Sequence, residues 1–185
     1  MGFTAPDLFI IYHSRKARKG MVLIPEITAC FTGHRILPTK DIPRIRRAVD
    51  YEIHRLYSRG VRNFLTGGAI GFDTLVIEEL ISMRLTLPEI VIVTVVPCRD
   101  QRARWSDAQK KRAEILDRSV NEFIFFNTPY FDGCMQRRNE YMVDNSTHCI
   151  SYCTKRNGGS YGTKRYAEKA GIETVELSGT IPFLD

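Results

Sequence analysis

The chain has 185 residues, 43% apolar and 26% charged, the balance of a globular protein with length enough for one sizeable core. Its formal net charge of +6 suits an anionic partner, nucleotide or nucleic acid, and no stretch approaches the roughly 18 uninterrupted apolar residues of a membrane span. The five cysteines lack the paired spacing of a zinc site or a disulfide framework, so buried reduced thiols and no metal are expected, and the lack of a membrane span and of a secretory charge order gives the expectation of a cytoplasmic location.

Residues 1–25 read as an N-terminal extension and residues 26–185 as a single domain. In the extension an apolar piece, 8–12, precedes a basic run, 15–19, the reverse of a secretory signal. Residues 27–31 then form a buried-strand candidate that ends at Thr32-Gly33-His34-Arg35. Asp41-Ile42-Pro43 supply an N-cap and an early proline for a helix. Its apolar positions Ile45, Val49, Ile53 and Leu56 recur at helical spacing, and Gly60 ends it. The pattern repeats: strand 61–65 and helix 72–84, strand 90–96 ending at Pro97, and a polar, basic helix 106–119 with Ser106 or Asp107 near its cap. Strand 122–126, loop 127–133, helix 135–145, strand 147–153, loop 154–159, helix 161–170 and strand 173–177 complete the series. Such alternation predicts an α/β three-layer sandwich, a mainly parallel sheet with helices on both faces.

The most informative segment is Leu65-Thr66-Gly67-Gly68-Ala69-Ile70-Gly71-Phe72-Asp73-Thr74. Three glycines at a strand-to-helix turn let the backbone approach a ligand and leave amides at a positive helix end, the requirements for holding a phosphate. The turn is neither G-x-G-x-x-G nor a Walker A, and no Gly-Lys-Ser or Gly-Lys-Thr follows, so a P-loop NTPase is disfavoured. A carboxylate repels phosphate, which assigns Asp73 to capping or to the sugar, the base or a catalytic water. Glu78 and Glu79, farther along, read as an exposed helix face. At the end of the first strand Gly33 permits close approach, His34 can titrate or hydrogen-bond, and Arg35 can grip a phosphate with two donors. Asn157-Gly158-Gly159-Ser160-Tyr161-Gly162-Thr163 is a second glycine-rich strand-to-helix turn, with hydroxyls at Ser160 and Thr163. Trp105, in the basic stretch 99–105, can stack on a base or pack the following helix onto the sheet. Arg138 and Asn139 can reach a ligand from the start of a later helix. His13, His54 and His148 receive no role. In parallel α/β sheets ligands bind beyond the C-terminal strand ends, so residues 32–35, 66–68, 97–99 and 157–159 should converge on one crevice.

In this order, Thr32-Gly33-His34-Arg35, residues 66–73, Pro97 with Trp105, residues 138–144 and the late Gly158-Gly159 turn resemble the YpsA-like family of the SLOG superfamily, which includes DprA and the Lonely Guy proteins. The resemblance covers about residues 27–177. It implies a Rossmann-like domain that binds a nucleotide or nucleotide-derived, ADP-ribose-like ligand at the glycine-rich turns. The family's Gly-x-acid element falls on Gly71 and Asp73. Lonely Guy enzymes cleave a nucleoside monophosphate at its N-glycosidic bond with a Pro-Gly-Gly-x-Gly-Thr-x-x-Glu motif. Residues 157–166 lack its proline, carry one inserted residue and place Tyr166 at the glutamate position, with Glu168 two residues late.

The expected ligand-binding set is Thr32, Gly33, His34, Arg35, Gly67, Gly68, Ala69, Gly71, Asp73, Arg138, Asn139, Gly158, Gly159 and Thr163. A sensor or regulatory protein that binds a nucleotide-like small molecule, without a cofactor, is the leading expectation. A nucleotide N-glycosidase or phosphoribohydrolase, with Asp73 or Glu78 as acid or base, is the second. A DprA-like binder of single-stranded nucleic acid is the third, and SLOG relatives imply a homo-oligomer.

Overall fold

The computed structural model describes residues 23–126 and 129–179. Six strands form one sheet in the order β4-β3-β2-β1-β5-β6, with every neighbouring pair parallel. The strands are β1 (Thr28–Gly33), β2 (Asn63–Thr66), β3 (Val91–Val96), β4 (Glu122–Phe125), β5 (His148–Tyr152) and β6 (Glu173–Glu176). Between them lie α1 (Ile42–Ser58), α2 (Phe72–Met83), α3 (Asp107–Asp117), α4 (Cys134–Asp144) and α5 (Gly158–Ala170).

Successive strand residues face opposite sides, so the sheet separates two cores. Ala29, Phe31, Phe64, Ile92, Phe123 and Ile150 pack under α1 and α2 on one face, with Leu116 of α3 at its margin. Cys30, Leu65, Val93, Ile124 and Cys149 pack on the other face against Met142 and Val143 of α4 and Ala167 of α5. The chain therefore winds from β1 out to β4 with three helices on one face, then returns through α4 to place β5 beside β1. Strand order reverses between β1 and β5, the position where such sheets open a crevice.

The expected architecture is present, with local differences that matter to the site. Strand β1 runs two residues past the expected end, because Thr32 and Gly33 pair with Ser151 and Tyr152. Residues 1–22 of the expected extension, 1–25, lie outside the described residues, and a 3-10 turn at Pro25–Ile27 leads into β1. Asp41 precedes α1 but gives it no side-chain cap, since a 3-10 turn over Thr39–Asp41 already holds Asp41 in a helical conformation. Gly158 and Gly159, expected in a loop, form the first turn of α5. All five cysteines are free thiols, four of them buried. Among the described residues no helix is long and apolar enough to cross a membrane.

Candidate functional site

The C-terminal ends of β1 and β5 flank the switch point, with those of β2 and β3 following beside β1, and the β2–α2 turn is braced from both sides. Gly67 and Gly68 are buried. Arg138 reaches the turn from α4. It is only 5% exposed, and its Nη1 donates to the carbonyls of Gly67 and, at 3.1 Å, Val95. Gln101 Nε2 donates to Gly67 O at 3.0 Å and Gly68 O at 3.3 Å. A Cβ on Gly67 would overlap the Arg138 guanidinium and lie 2.7 Å from Asp73 Oδ2, so only glycine fits there.

Asp73, in the first turn of α2, is 7% exposed and its Oδ2 accepts from Ala69 N at 3.1 Å. Burial pushes its carboxyl pKa above the ordinary value, and the Arg138 charge and the amides of Ala69 and Gly67 offset this only in part. The carboxyl thus turns onto the amides of its own turn and shapes it.

Gly71 has a left-handed backbone, φ 82°, and any Cβ there would strike the carbonyls of His34 and Arg35. Phe72 N donates to His34 O at 3.0 Å, joining the start of α2 to the end of β1. The Phe72 ring fills the space a Gly33 side chain would need and stacks on Tyr152 at 5.9 Å between centroids. His34 Nε2 accepts from Thr154 N at 2.8 Å, so a neutral His34 carries its proton on Nδ1. Arg35 is exposed and has no ion-pair partner among the described residues.

The α5 turn joins the same assembly. Ser160 Oγ donates to Gly33 O at 2.7 Å. Arg138 Nε donates to Asn139 Oδ1 at 2.7 Å, Asn139 Nδ2 donates to Thr163 Oγ1 at 2.7 Å, and Thr163 Oγ1 donates to Gly159 O at 2.9 Å. One chain of hydrogen bonds therefore runs from the β2–α2 turn to the first turn of α5. Gly158 and Gly159 are exposed, and a Cβ on either would meet open space. Thr32 lies buried within β1. Cys98, after β3, is buried, and burial with its neighbours Cys134 and Asp100 pushes its thiol up to about 11.

Glu78 and Glu79 do not form an exposed face. Glu78 Oε2 pairs with Arg46 of α1 at 2.7 Å and its Oε1 accepts from Arg112 Nε of α3 at 2.7 Å, while Glu79 pairs with Arg46. Arg46 and Arg112 also line a cavity of about 240 Å³ between the N-terminal halves of α1, α2 and α3, with Arg35, Ile70 and Gly71 at its crevice end. Sequence reasoning missed Arg46, Arg112 and Gln101. Their partners are remote in sequence, and Gln101 lies among the arginines of a basic stretch. Trp105 sits under Arg102, whose guanidinium is 5.4 Å from the ring centroid and pairs with Asp117 at 2.6 Å. Among the described residues no group of three or more His, Cys, Asp or Glu side chains is placed to hold a metal ion.

The YpsA family model, described as the YspA SLOG family, matches residues 38–178. The chain belongs to the YpsA family of SLOG proteins. Over 110 residues it is 30% identical to the UPF0398 protein BH1768 of Halalkalibacterium halodurans, covering 58% of each chain. The chain thus spans less than two thirds of that YpsA-like relative's length. It is 26% identical over 118 residues to the uncharacterized SPbeta prophage-derived protein YoqJ of Bacillus subtilis strain 168, covering 57% of this chain and 69% of that one. Among solved structures, DNA processing protein A (DprA) of Streptococcus pneumoniae superposes with a TM-score of 0.61 at 15% identity, over 86% of this chain and 52% of that one. DprA of Helicobacter pylori, described for its single-stranded DNA binding mode, gives 0.60 at 17% identity, over 85% and 68%. The YpsA-family chain and DprA therefore share a Rossmann-like fold.

Proposed function

We propose that the crevice at the β1/β5 switch point binds a nucleotide or nucleotide-derived ligand, and that the protein acts as a sensor or regulator of it. The observation that carries this reading is the β2–α2 turn. Its carbonyls are taken by Arg138 and Gln101, its acid is folded onto its own amides, and its glycine at position 71 brings two strand-end loops into backbone contact. With the Gly67 and Ala69 amides held by Asp73, the braced turn offers an anion the Ile70–Gly71 side of the α2 N-terminus. Arg35, exposed at its mouth and without an ion-pair partner among the described residues, supplies the matching charge. Membership of the SLOG family and the fold shared with DprA support a ligand of nucleotide chemistry.

Hydrolysis is less well supported. An oxocarbenium-like transition state needs an available carboxylate beside the anomeric carbon. Asp73 is buried on the turn, and Glu78 is held between two arginines.

The test is thermal unfolding against a panel of nucleoside mono- and diphosphates and ADP-ribose. At least one should raise the melting temperature. Arg35→Ala, which removes one charge-assisted contact, should weaken that ligand about 10- to 100-fold. Gly71→Glu should abolish the shift. Single-stranded oligonucleotides at low salt and an assay for released base run beside it. A shift with oligonucleotides alone, or none with any ligand, refutes the reading.

A further inference from the structure

The cavity between α1, α2 and α3 is not one of the expected binding elements, yet it shares Ile70 and Gly71 with the glycine turn. A ligand held at the turn can therefore extend directly into it. At about 240 Å³ it lies below the roughly 300–1,000 Å³ of a pocket for a whole drug-sized ligand, so it accommodates one end of a larger molecule.

Its walls specify the chemistry of that end. Ile42 and Leu75 give it apolar surface, as does Ile70. Arg46 and Arg112 also line it, but their charges are engaged by Glu78 and Glu79, so they offer flat guanidinium planes more than unbalanced charge. Gln109 lines it too. Its Oε1 accepts from Ser106 N at 2.9 Å in the cap of α3, which orients the amide and leaves its Nε2 as a donor to whatever enters. A planar, weakly polar ring with acceptor atoms on its edge fits such a space, stacked against guanidinium and aliphatic surface. A second phosphate does not, because the two cations that would meet it already hold carboxylates.

We infer that this cavity is the base subsite of the crevice: the ligand's heteroaromatic base enters between α1, α2 and α3 while its phosphate stays at the crevice end, at Ile70, Gly71 and Arg35. The inference rests on the proposed nucleotide reading and adds to it where the base lies and which residues select it.

The experiment compares adenosine monophosphate with ribose 5-phosphate, which carries the same sugar phosphate and no base. Dissociation constants are measured calorimetrically on the full chain. On the wild-type protein adenosine monophosphate should bind at least 10-fold more tightly. Ala113→Trp, which fills the cavity from α3 and leaves the glycine turn intact, should bring adenosine monophosphate to the level of ribose 5-phosphate and leave ribose 5-phosphate unchanged. Arg112→Lys keeps the charge that Glu78 meets and removes the guanidinium plane. It should weaken adenosine monophosphate roughly 2- to 30-fold and ribose 5-phosphate not at all. This surface variant also serves if the tryptophan variant fails to fold. Retention of the full preference for adenosine monophosphate in either folded variant overturns the base subsite while leaving the nucleotide reading standing. Equal loss of both ligands also overturns it, since the cavity would then act through the turn. Failure of both ligands and of the wider nucleotide panel on the wild-type protein overturns the nucleotide reading and the subsite with it.

Discussion

Asp73 and Arg138 are buried charges of opposite sign beneath one turn, and their balance sets how that turn responds to pH. Burial raises the Asp73 carboxyl above its ordinary value of 3.8, and Arg138 with the turn amides does not cancel the rise. Burial also lowers the Arg138 guanidinium, though the Asp73 charge supports it. As pH climbs from 3.8 toward the folded value, the unfolded chain loses the Asp73 proton first. The native state then binds more protons than the unfolded one, so the Asp73 contribution to stability falls with rising pH across that window. Asp73→Asn keeps an acceptor for Ala69 N–H and cannot titrate. The stability of the Asn variant minus that of the wild type, from urea unfolding between about pH 3.5 and about pH 8, should therefore grow with pH and then level off. A difference that shrinks with pH would mean that Arg138 and the amides outweigh burial.

At the scale of elements, α3 is the most weakly anchored helix. It has no fully buried residue and is tied to the rest by Arg112 to Glu78, with the Arg102–Asp117 pair at its far end. Its start is fixed by a capping box, in which Ser106 Oγ accepts from Gln109 N at 3.3 Å and Gln109 Oε1 accepts from Ser106 N at 2.9 Å. Ser106→Ala should cost about 1 kcal/mol. Because α3 is anchored so lightly, the loss should appear as faster amide exchange confined to its first two turns. Exchange that quickens equally in α2 would show the helices to be one cooperative unit. Helix α3 also shows what the sequence makes legible. Its cap was readable at Ser106 because capping is local, and strands β1 to β5 were readable because each carries its own apolar residues, whereas β6, Glu173–Glu176, was readable as the close of the alternating series. The glycine turn was readable for the same reason. What escaped depends on contacts distant along the chain. Thr32 and Gly33 joined β1 only because β5 pairs with them. Glu78 and Glu79 left the exposed face only because α1 and α3 bring arginines to them. Gln101 became part of the turn only through the path of the chain after β3.

Over the whole molecule the two ends of the sheet are built differently. The crevice end is glycine-rich and braced by hydrogen bonds, whereas the opposite end is tied by charge. There Arg55, near the end of α1, bonds Glu52 at 2.7 Å and Glu173 at 2.8 Å. Arg59 bonds Glu173 at 2.9 Å, and His148 lies 3.5 Å from the same carboxylate. Burial works against ionised Glu173, but hydrogen bonds from Arg59 and Arg55 prevail and hold its pKa below the ordinary 4.5. Burial lowers His148 below its ordinary 6.5, with Glu173 only partly opposing. Both shifts act in one direction. The neutral His148 contributes stability that is full above 6.5 and is lost as pH falls toward its folded value. The Glu173 contribution is full above 4.5 and is lost as pH falls through its lower folded value, and solvent reaches this carboxylate enough to keep the effect modest. Acid should therefore loosen the end of the sheet far from the crevice in two steps, histidine first. His148→Gln should remove the first step and Glu173→Gln the second. Proton exchange followed by NMR should show the amides at the starts of β5 and β6 opening before those of the β2–α2 turn. If the turn opens first on acidification, the charged end is not what limits stability in acid.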